Sequence, residues 1–412
     1  MATDRRLGST AAPDGNLMAE SRGGHHRVKP GAVLAMIVCV FALGSAEYAA
    51  VGVLPEIAAA LRVTVPAAGS IVTVYAVTVA VSGPLLAVAL ARVARKPLMI
   101  ALMSLFSVGN VVCALAPHYW TLLLGRAVSA LAVSTFVGAA IAVVTSMVPQ
   151  DRAARSISWI TSGLILAMIF GAPACTYLGE RLGWRAAFAG LVIVGAAGVA
   201  LLAALVPASA EGQASTARLA ELKVITRPAV LAALGVTVLG QMAVFVTFTY
   251  IASLLSEVGG FTAAGISVLL LLFGVGGVLG NFVGAKFADR SLMATTSGLL
   301  LLLSFVLAGF SVSVHDQFAA VVNVFALGVV GFALAPCYQA RVLMVAGSST
   351  AAIATNTSGI NVGIALGAGV GAGALTAGFE LTDIGWISGV IGVLATAVAA
   401  SMLLSDRRTK VA

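Results

Sequence analysis

Residues 33–54 read VLAMIVCVFALGSAEYAAVGVL, a run of 22 residues in which Glu47 is the one charged side chain. The apolar core of a bilayer is about 30 Å thick, so a helix needs about 20 apolar residues to cross it. The run is therefore long enough for one membrane span. The rest of the chain predicts eleven more spans, at 69–90, 98–117, 121–147, 157–178, 186–206, 229–254, 265–285, 292–314, 318–340, 353–377 and 385–404.

The composition of the chain agrees with a membrane protein. Charged residues make up 9% of the 412 residues, against roughly 25% in an ordinary soluble domain. A closed β-barrel can also span lipid, but its strands alternate over segments of about 10 residues. The runs here are continuous and longer than that. We therefore predict an all-α membrane protein with twelve transmembrane helices.

The basic residues are distributed unevenly between the two sets of loops. Counted from an N-terminus in the cytoplasm, 19 of the 23 Lys and Arg residues fall on the cytoplasmic side and 3 on the opposite side. The positive-inside rule then places both termini in the cytoplasm, and an even number of spans requires that they share a side. This placement accounts for the net charge of +8, which does not indicate a nucleic-acid partner.

The longest polar break between spans divides the chain into two sets of six. The predicted organisation is a disordered tail, a six-helix bundle, a cytoplasmic linker, a second bundle and a short tail, at 1–32, 33–206, 207–228, 229–404 and 405–412 respectively. A metal site at His25 and His26 is an alternative interpretation of the tail, but no further ligands lie nearby in sequence. A cleavable signal peptide is the alternative for the first span, which is long for that role.

Two short loops, one in each set of six spans, have similar sequences. Residues 87–96 read AVALARVARK and residues 285–290 read AKFADR, and both follow a span rich in small residues. Two parallel six-helix repeats joined by a cytoplasmic loop are the plan of the major facilitator superfamily, in which the substrate site lies between the halves.

The chain resembles the drug:proton antiporters of that superfamily, and within them the bacterial chloramphenicol-resistance and arabinose-efflux type permeases, over about residues 33–404. The motifs that carry the resemblance are GSAEY at 44–48 with Pro55-Glu56, Gly125-Arg126 in span four, Gly163 with Gly171-Ala-Pro173 in span five, and Thr249-Tyr250-Ile251 in span seven. The loop at 87–96 resembles the superfamily's loop motif, although alanines replace its two glycines and its aspartate.

The resemblance implies roles for several of these residues. A gating role falls on the two loops, at Arg92, Arg95, Lys96, Asp289 and Arg290. In span five, Gly163, Gly171 and Pro173 would form a seal between the halves that prevents proton leakage. Ordinary close helix packing is the alternative for the glycines, and a kink is the expected effect of the proline.

Glu47 and Arg126 are the two charged side chains within the predicted spans. A charge in mid-membrane costs at least about 2.5–3.5 kcal/mol and usually faces a cavity or a partner. Snorkelling to the outer interface is the alternative for both. At about 1.5 Å per residue, both lie roughly 8–10 Å below the outer edge. We hypothesise that they share a water-accessible cavity, where Glu47 takes up and releases the coupling proton as its distance from Arg126 changes.

Candidate substrate contacts are the polar and aromatic side chains of spans that line the cavity in the superfamily, with two more on spans two and eleven. In span seven Gln241, Phe245 and Phe248 recur at i, i+4 and i+7 and so share a face. The full set is Tyr48, Tyr75, Phe136, Gln241, Phe245, Tyr338, Gln339 and Asn361. For each of them interhelical packing is the alternative. Such a cavity suits a small, amphipathic, neutral or weakly polar solute.

No motif of an enzyme, a nucleotide site or a metal site is found in the sequence, so we expect neither catalysis nor a cofactor. The leading hypothesis is a monomeric, proton-coupled exporter of a drug-like molecule in a bacterial inner membrane, with both termini cytoplasmic. A sugar or nucleoside exporter of the same fold is one alternative. A non-transporting membrane sensor is another, but it would need a sizeable soluble domain.

Overall fold

A computed structural model of the chain describes residues 30–90, 93–146, 150–207, 227–346 and 350–411. This part of the chain contains twelve helices that are long and apolar enough to cross a membrane, which confirms the predicted fold class. Spans one to six comprise Pro30–Gly52, Val65–Ala89, Arg95–Ala114, Tyr119–Ser146, Gln150–Leu166 with its continuation to residue 182, and Trp184–Leu205. Spans seven to twelve comprise Pro228–Phe248 with its continuation to residue 258, Ala263–Ala288, Leu292–Ser313, Gln317–Ala346, Thr350–Thr376 and Asp383–Val411.

Successive spans cross in opposite directions, so the molecule has two faces. We call the face with the connections after spans one, three, five, seven, nine and eleven the distal face, and the other the termini face. The predicted tail residues 1–29, with His25 and His26, lie outside the described residues, as do Arg92 and most of the predicted linker.

Spans one and seven break at matching positions near the distal face. Span one stops at Gly52 and resumes as Leu54–Leu61, while span seven stops at Phe248 and resumes at Ile251. Val53 (φ −117°, ψ 17°) and Tyr250 (φ −106°, ψ 11°) adopt nearly the same conformation. The carbonyl of each accepts the first bond of the next segment, from Ile57 N at 3.0 Å and from Leu254 N at 2.9 Å. The two repeats thus share this local geometry.

The sequence causes of the two breaks differ. In span one, Pro55 enters the second segment at a position where its missing N–H costs nothing. In span seven, the Thr249 hydroxyl donates to the Phe245 carbonyl at 2.6 Å, a bond to the preceding turn that tends to bend a helix. The matching breaks in spans one and seven therefore have different local causes.

Span five accommodates its proline through a wide turn. Gln150–Leu166 leads into a π-helical turn at Ala167–Gly171, and the α-helix Ala172–Leu182 follows with Pro173 near its start. Proline has no N–H for the bond to the preceding turn, and a π-turn is one way to absorb the resulting irregularity. The π-turn ends two residues before Pro173, where the sequence predicts a kink.

Glycines allow close packing within each half. A Cβ on Gly163 of span five would lie 2.7 Å from the Ile37 carbonyl oxygen of span one, and one on Gly171 would lie 2.0 Å from Ser45 Oγ. A Cβ on Gly363 of span eleven would lie 2.6 Å from the Val238 carbonyl oxygen of span seven. The pairs five with one and eleven with seven correspond in the two repeats, and these glycine faces pack inside the halves.

The two halves meet along two pairs of spans. Span two packs against span eleven, and span eight packs against the distal part of span five from residue 167 onward. At the π-turn, a Cβ on Gly274 would lie 2.6 Å from the Met168 carbonyl oxygen. The halves are therefore in backbone contact near mid-membrane and distal to it.

Candidate functional site

Arg126 is the most deeply buried charge of the described chain. It is 0% exposed and comes from span four, where Gly125 lets the helix approach span three closely. Its Nη1 donates to the Ala46 carbonyl of span one at 2.8 Å, and its Cζ lies 4.0 Å from the centre of the Tyr75 ring of span two. Within the described residues, Nε and Nη2 have no hydrogen-bond partner. A buried cation with two free donors is rare in a native structure.

Glu47 follows Ala46 in span one and therefore lies at the same depth as Arg126. Its side chain is half-buried, and the two charges act on each other electrostatically. They form no ion pair within 4.0 Å in the described part of the chain. Arg126 is thus held by a carbonyl and an aromatic ring while its free donors remain available to an acceptor.

Tyr48 and Tyr75 complete a four-residue cluster, which we call the charge cluster: Glu47, Tyr48, Tyr75 and Arg126. Tyr75 is buried, and its hydroxyl has no partner among the described residues. Tyr48 follows Glu47 in the chain, and its phenol lies near Tyr75. Four residues from spans one, two and four therefore bring one carboxylate, one guanidinium and two phenols together.

An aromatic row connects this cluster to the other half of the protein. The Tyr48 ring meets Phe248 of span seven edge-on at 6.1 Å, and Phe248 stacks on Phe273 of span eight at 4.6 Å. Phe245 and Phe332 contact the same row at 5.6 Å. The charge cluster therefore lies against the boundary between the halves, next to a row of packed aromatic rings.

Other predicted substrate contacts lie elsewhere. The Tyr338 ring points at span seven, where a Cβ on Gly240 would lie 1.9 Å from its Oη. It lines a small cavity inside the C-terminal half with Ala233, Met293 and Met402. Phe136 is fully buried in the N-terminal half. Gln241 packs against Gly363 of span eleven.

Gln339 takes part in hydrogen bonds between helices, whereas Asn361 bonds within its own helix. Asn356 Nδ2 donates to Gln339 Oε1 at 3.0 Å, and the Thr237 hydroxyl donates to Asn356 Oδ1 at 3.3 Å. This buried network joins spans seven, ten and eleven. Asn361 Nδ2 donates to the Thr357 carbonyl of its own helix at 3.0 Å. Of the predicted substrate contacts, Tyr48 and Tyr75 are the two that the structure places in the charge cluster.

The loop-motif residues lie at the termini face. Arg95 is buried, and Lys96 Nζ donates to the Ala203 carbonyl at 2.8 Å, near the end of span six. Asp289 and Arg290 are exposed after span eight, with the Arg290 guanidinium 5.6 Å from the Phe287 ring centre. The loop between spans two and three is therefore bound to span six of its own half through Lys96.

Glu56 is an ionisable group near the distal face that is named in the first-span motif. One of its carboxylate oxygens is buried without a hydrogen-bond partner in the described chain. Burial raises the pKa of the Glu56 carboxyl, and the charge of Glu180 on span five raises it further. The group lies just beyond span one, on the segment that follows the break.

Comparison with known proteins decides the family. A family model described as Major Facilitator Superfamily matches residues 36–351. The chain belongs to the major facilitator superfamily. It is 36% identical over 364 residues to the inner membrane transport protein YdhP of Escherichia coli strain K12, which covers 88% of this chain and 93% of that protein. It is 31% identical to the chloramphenicol resistance protein of Streptomyces lividans, over 89% of this chain and 94% of that protein.

Solved structures agree on the fold. The D-xylose–proton symporter aligns with a TM-score of 0.73 at 14% sequence identity, over 90% of this chain and 97% of that chain. The predicted membership of the superfamily is confirmed, and the protein is a transporter rather than an enzyme. It is a multi-pass inner-membrane protein that acts on a small molecule.

Proposed function

We propose that the protein exports a small, amphipathic, drug-like molecule in exchange for protons by alternating access, with both termini in the cytoplasm. Chloramphenicol-type antibiotics are the first substrates to test, because a chloramphenicol resistance protein is similar over nearly the whole chain. The observation that carries the proposal is the charge cluster: one carboxylate and one fully buried guanidinium lie against the boundary between the halves.

The free donors of Arg126 suit a carboxylate. Nε–H and Nη2–H project from one edge of a planar guanidinium as two parallel donors, the geometry that binds a carboxylate bidentately. Both are without partners in the described residues, and Glu47 is the one carboxylate within the spans predicted from the sequence. In the proposed cycle the ionised Glu47 docks on this edge in one state and the protonated acid leaves it in the other.

In the proposed cycle the substrate binds at the aromatic row, next to this pair. Tyr48 is adjacent to Glu47 in the chain and contacts Phe248 of the other half. A solute lying between these two rings would separate the halves and shift span one relative to span four. Because proton and substrate would then favour different arrangements of Glu47 and Arg126, their movements would be linked.

Resistance of an efflux-deficient bacterium tests this proposal. Cells expressing the wild-type chain, Glu47→Gln or Glu257→Gln would be compared across chloramphenicol, other antibiotics and sugar analogues. Glu257 is an exposed carboxylate at the distal end of span seven, so its variant is a matched control for loss of one negative charge. We expect wild type and Glu257→Gln to confer resistance that a protonophore abolishes, and Glu47→Gln to confer none.

Two results would count against the proposal. One is export that continues after the proton gradient has been removed from membrane vesicles. The other is a Glu47→Gln variant that exports at the wild-type rate with an unchanged pH dependence. Resistance to sugar analogues alone would favour the sugar or nucleoside exporter.

A further inference from the structure

Tyr250 occupies a narrow gap between the two halves. Its side chain is 0% exposed and projects from the break in span seven. A Cβ on Gly69 of span two would lie 2.1 Å from Tyr250 Oη, 2.7 Å from Cζ and 2.9 Å from Cε1. On the other side of the ring, a Cβ on Gly371 of span eleven would lie 2.5 Å from Cε2. The ring therefore fits between spans two and eleven because both positions are glycine.

Hydrogen bonds fix the two sides of this gap. Tyr250 Oη donates to the Ala368 carbonyl of span eleven at 3.0 Å, which ties the ring to the C-terminal half. On the N-terminal half, the Tyr119 hydroxyl of span four donates to the Ala67 carbonyl, two residues before Gly69. The ring thus moves with one half, and the glycine that it covers moves with the other.

The break in span one makes the corresponding contact. A Cβ on Gly52 would lie 1.8 Å from Thr176 Oγ1 of span five, in its own half, and 3.4 Å from Leu270 Cδ1 of span eight, in the other half. In the repeat order, spans one, five and eight correspond to seven, eleven and two. Each break therefore lies at a junction of three helices, with one helix from the opposite half.

We propose that Tyr250 is the wedge that holds the distal ends of spans two and eleven together, and that opening of the distal face requires its ring to leave Gly69. A side chain at position 69 would prevent the closed arrangement. A shorter side chain at position 250 would leave a cavity between spans two and eleven in the closed arrangement. The inference concerns the alternation of a transporter and is independent of the substrate and of the coupling ion.

Distances between spin labels on the distal face test the wedge. The four native cysteines are buried, so labels would be attached at cysteines introduced in place of Ala60 and Glu257, which are exposed on opposite halves. Electron–electron double resonance would report the populations of short and long distances. We expect Gly69→Ala to raise the ratio of long to short distances about tenfold, since overpacking disfavours the closed state selectively.

Gly83→Ala is the matched control on the same helix. A Cβ there would have only ordinary contacts, 3.5 Å from Ser134 Cβ and 3.8 Å from Ser358 Oγ of span eleven. We expect its distance distribution to equal that of wild type. If Gly69→Ala and Gly83→Ala give the same distribution, the wedge is refuted.

Tyr250→Phe provides a rescue that a general packing defect would not show. It removes Oη, the atom that a Cβ at position 69 would meet first, and leaves Cζ at 2.7 Å. The double variant Gly69→Ala with Tyr250→Phe should therefore return part of the way to the wild-type distribution. If the effects of Gly69→Ala and Tyr250→Phe on the distance distribution are additive in the double variant, the proposal is contradicted. Should Gly69→Ala fail to fold, Tyr250→Leu is expected to raise the long-distance population, and an unchanged population would overturn the wedge.

Discussion

Gly125→Ala perturbs the position of Arg126 without touching its charge. A Cβ on Gly125 would lie 2.7 Å from Cys113 Sγ, 2.8 Å from the Gly109 carbonyl oxygen and 2.9 Å from the Cys113 nitrogen. Ordinary contacts of a Cβ begin at 3.4 Å, so span four must retreat from span three by roughly 0.5–0.7 Å in a close-packed interior. Two of the three obstacles are backbone atoms, which cannot turn aside.

That displacement is large compared with the tolerance of the Arg126 site. The bond from Nη1 to the Ala46 carbonyl is 2.8 Å long, and a shift of this size along it would lengthen it to about 3.5 Å, the limit of a hydrogen bond. Overpacking of this kind costs about 1–3 kcal/mol. We therefore expect Gly125→Ala to be less stable than wild type and to export more slowly.

Gly138→Ala is the control for this prediction, on the same span. A Cβ at position 138 meets nothing within 4 Å. Replacing glycine by alanine favours the helix by about 1 kcal/mol in both variants. The difference in stability between the two variants therefore reports the clash at position 125. Thermal unfolding of purified protein would measure stability, and efflux from vesicles would measure transport. If the two variants melt together and export alike, the tight positioning of Arg126 inferred from the structure is wrong.

Three further predictions concern other parts of the molecule. The raised pKa of Glu56, caused by burial and then by Glu180, means that its contribution to stability is present at low pH and is lost as pH rises through that pKa. Glu56→Gln should therefore flatten the fall in melting temperature toward alkaline pH, and an unchanged profile would contradict this. Gly280→Ala places a Cβ 1.9 Å from the Val329 carbonyl oxygen and should lower the free energy of unfolding by about 1–3 kcal/mol. Gly298→Ala, whose Cβ meets nothing within 4 Å, should cost nothing in the same unfolding assay. A cysteine in the 207–228 loop should be labelled from the cytoplasm, and periplasmic labelling would overturn the predicted topology.

The fold was predictable because the bilayer imposes a length on every crossing helix. The twelve spans found by the structure overlap the twelve predicted ones. The breaks were not predicted, since the expected spans 33–54 and 229–254 run through Val53 and Tyr250 without interruption. In span seven no proline marks the break, and the bond from the Thr249 hydroxyl to the Phe245 carbonyl cannot be foreseen from residue type alone.

The site was predictable in part. A charge in an apolar span is conspicuous, so Glu47 and Arg126 could be named, and the bond from Arg126 to Ala46 places them at one depth. The orientation of Tyr338 and Gln339 could not be foreseen, because a helix that is apolar on all sides gives no signal for its rotation about its own axis. Tyr75 was predicted as a substrate contact because it is the large polar side chain of span two, and its position against the Arg126 guanidinium depends on tertiary packing.

Counting protons during substrate binding tests most directly the proposal that Glu47 carries the coupling proton. Binding of chloramphenicol to purified protein would be followed by calorimetry in buffers of different protonation enthalpy, which gives the number of protons released. We predict that wild type and Glu257→Gln release protons on binding, whereas Glu47→Gln binds the drug without releasing any. Release of the same number of protons by Glu47→Gln as by wild type would contradict the proposed role of Glu47.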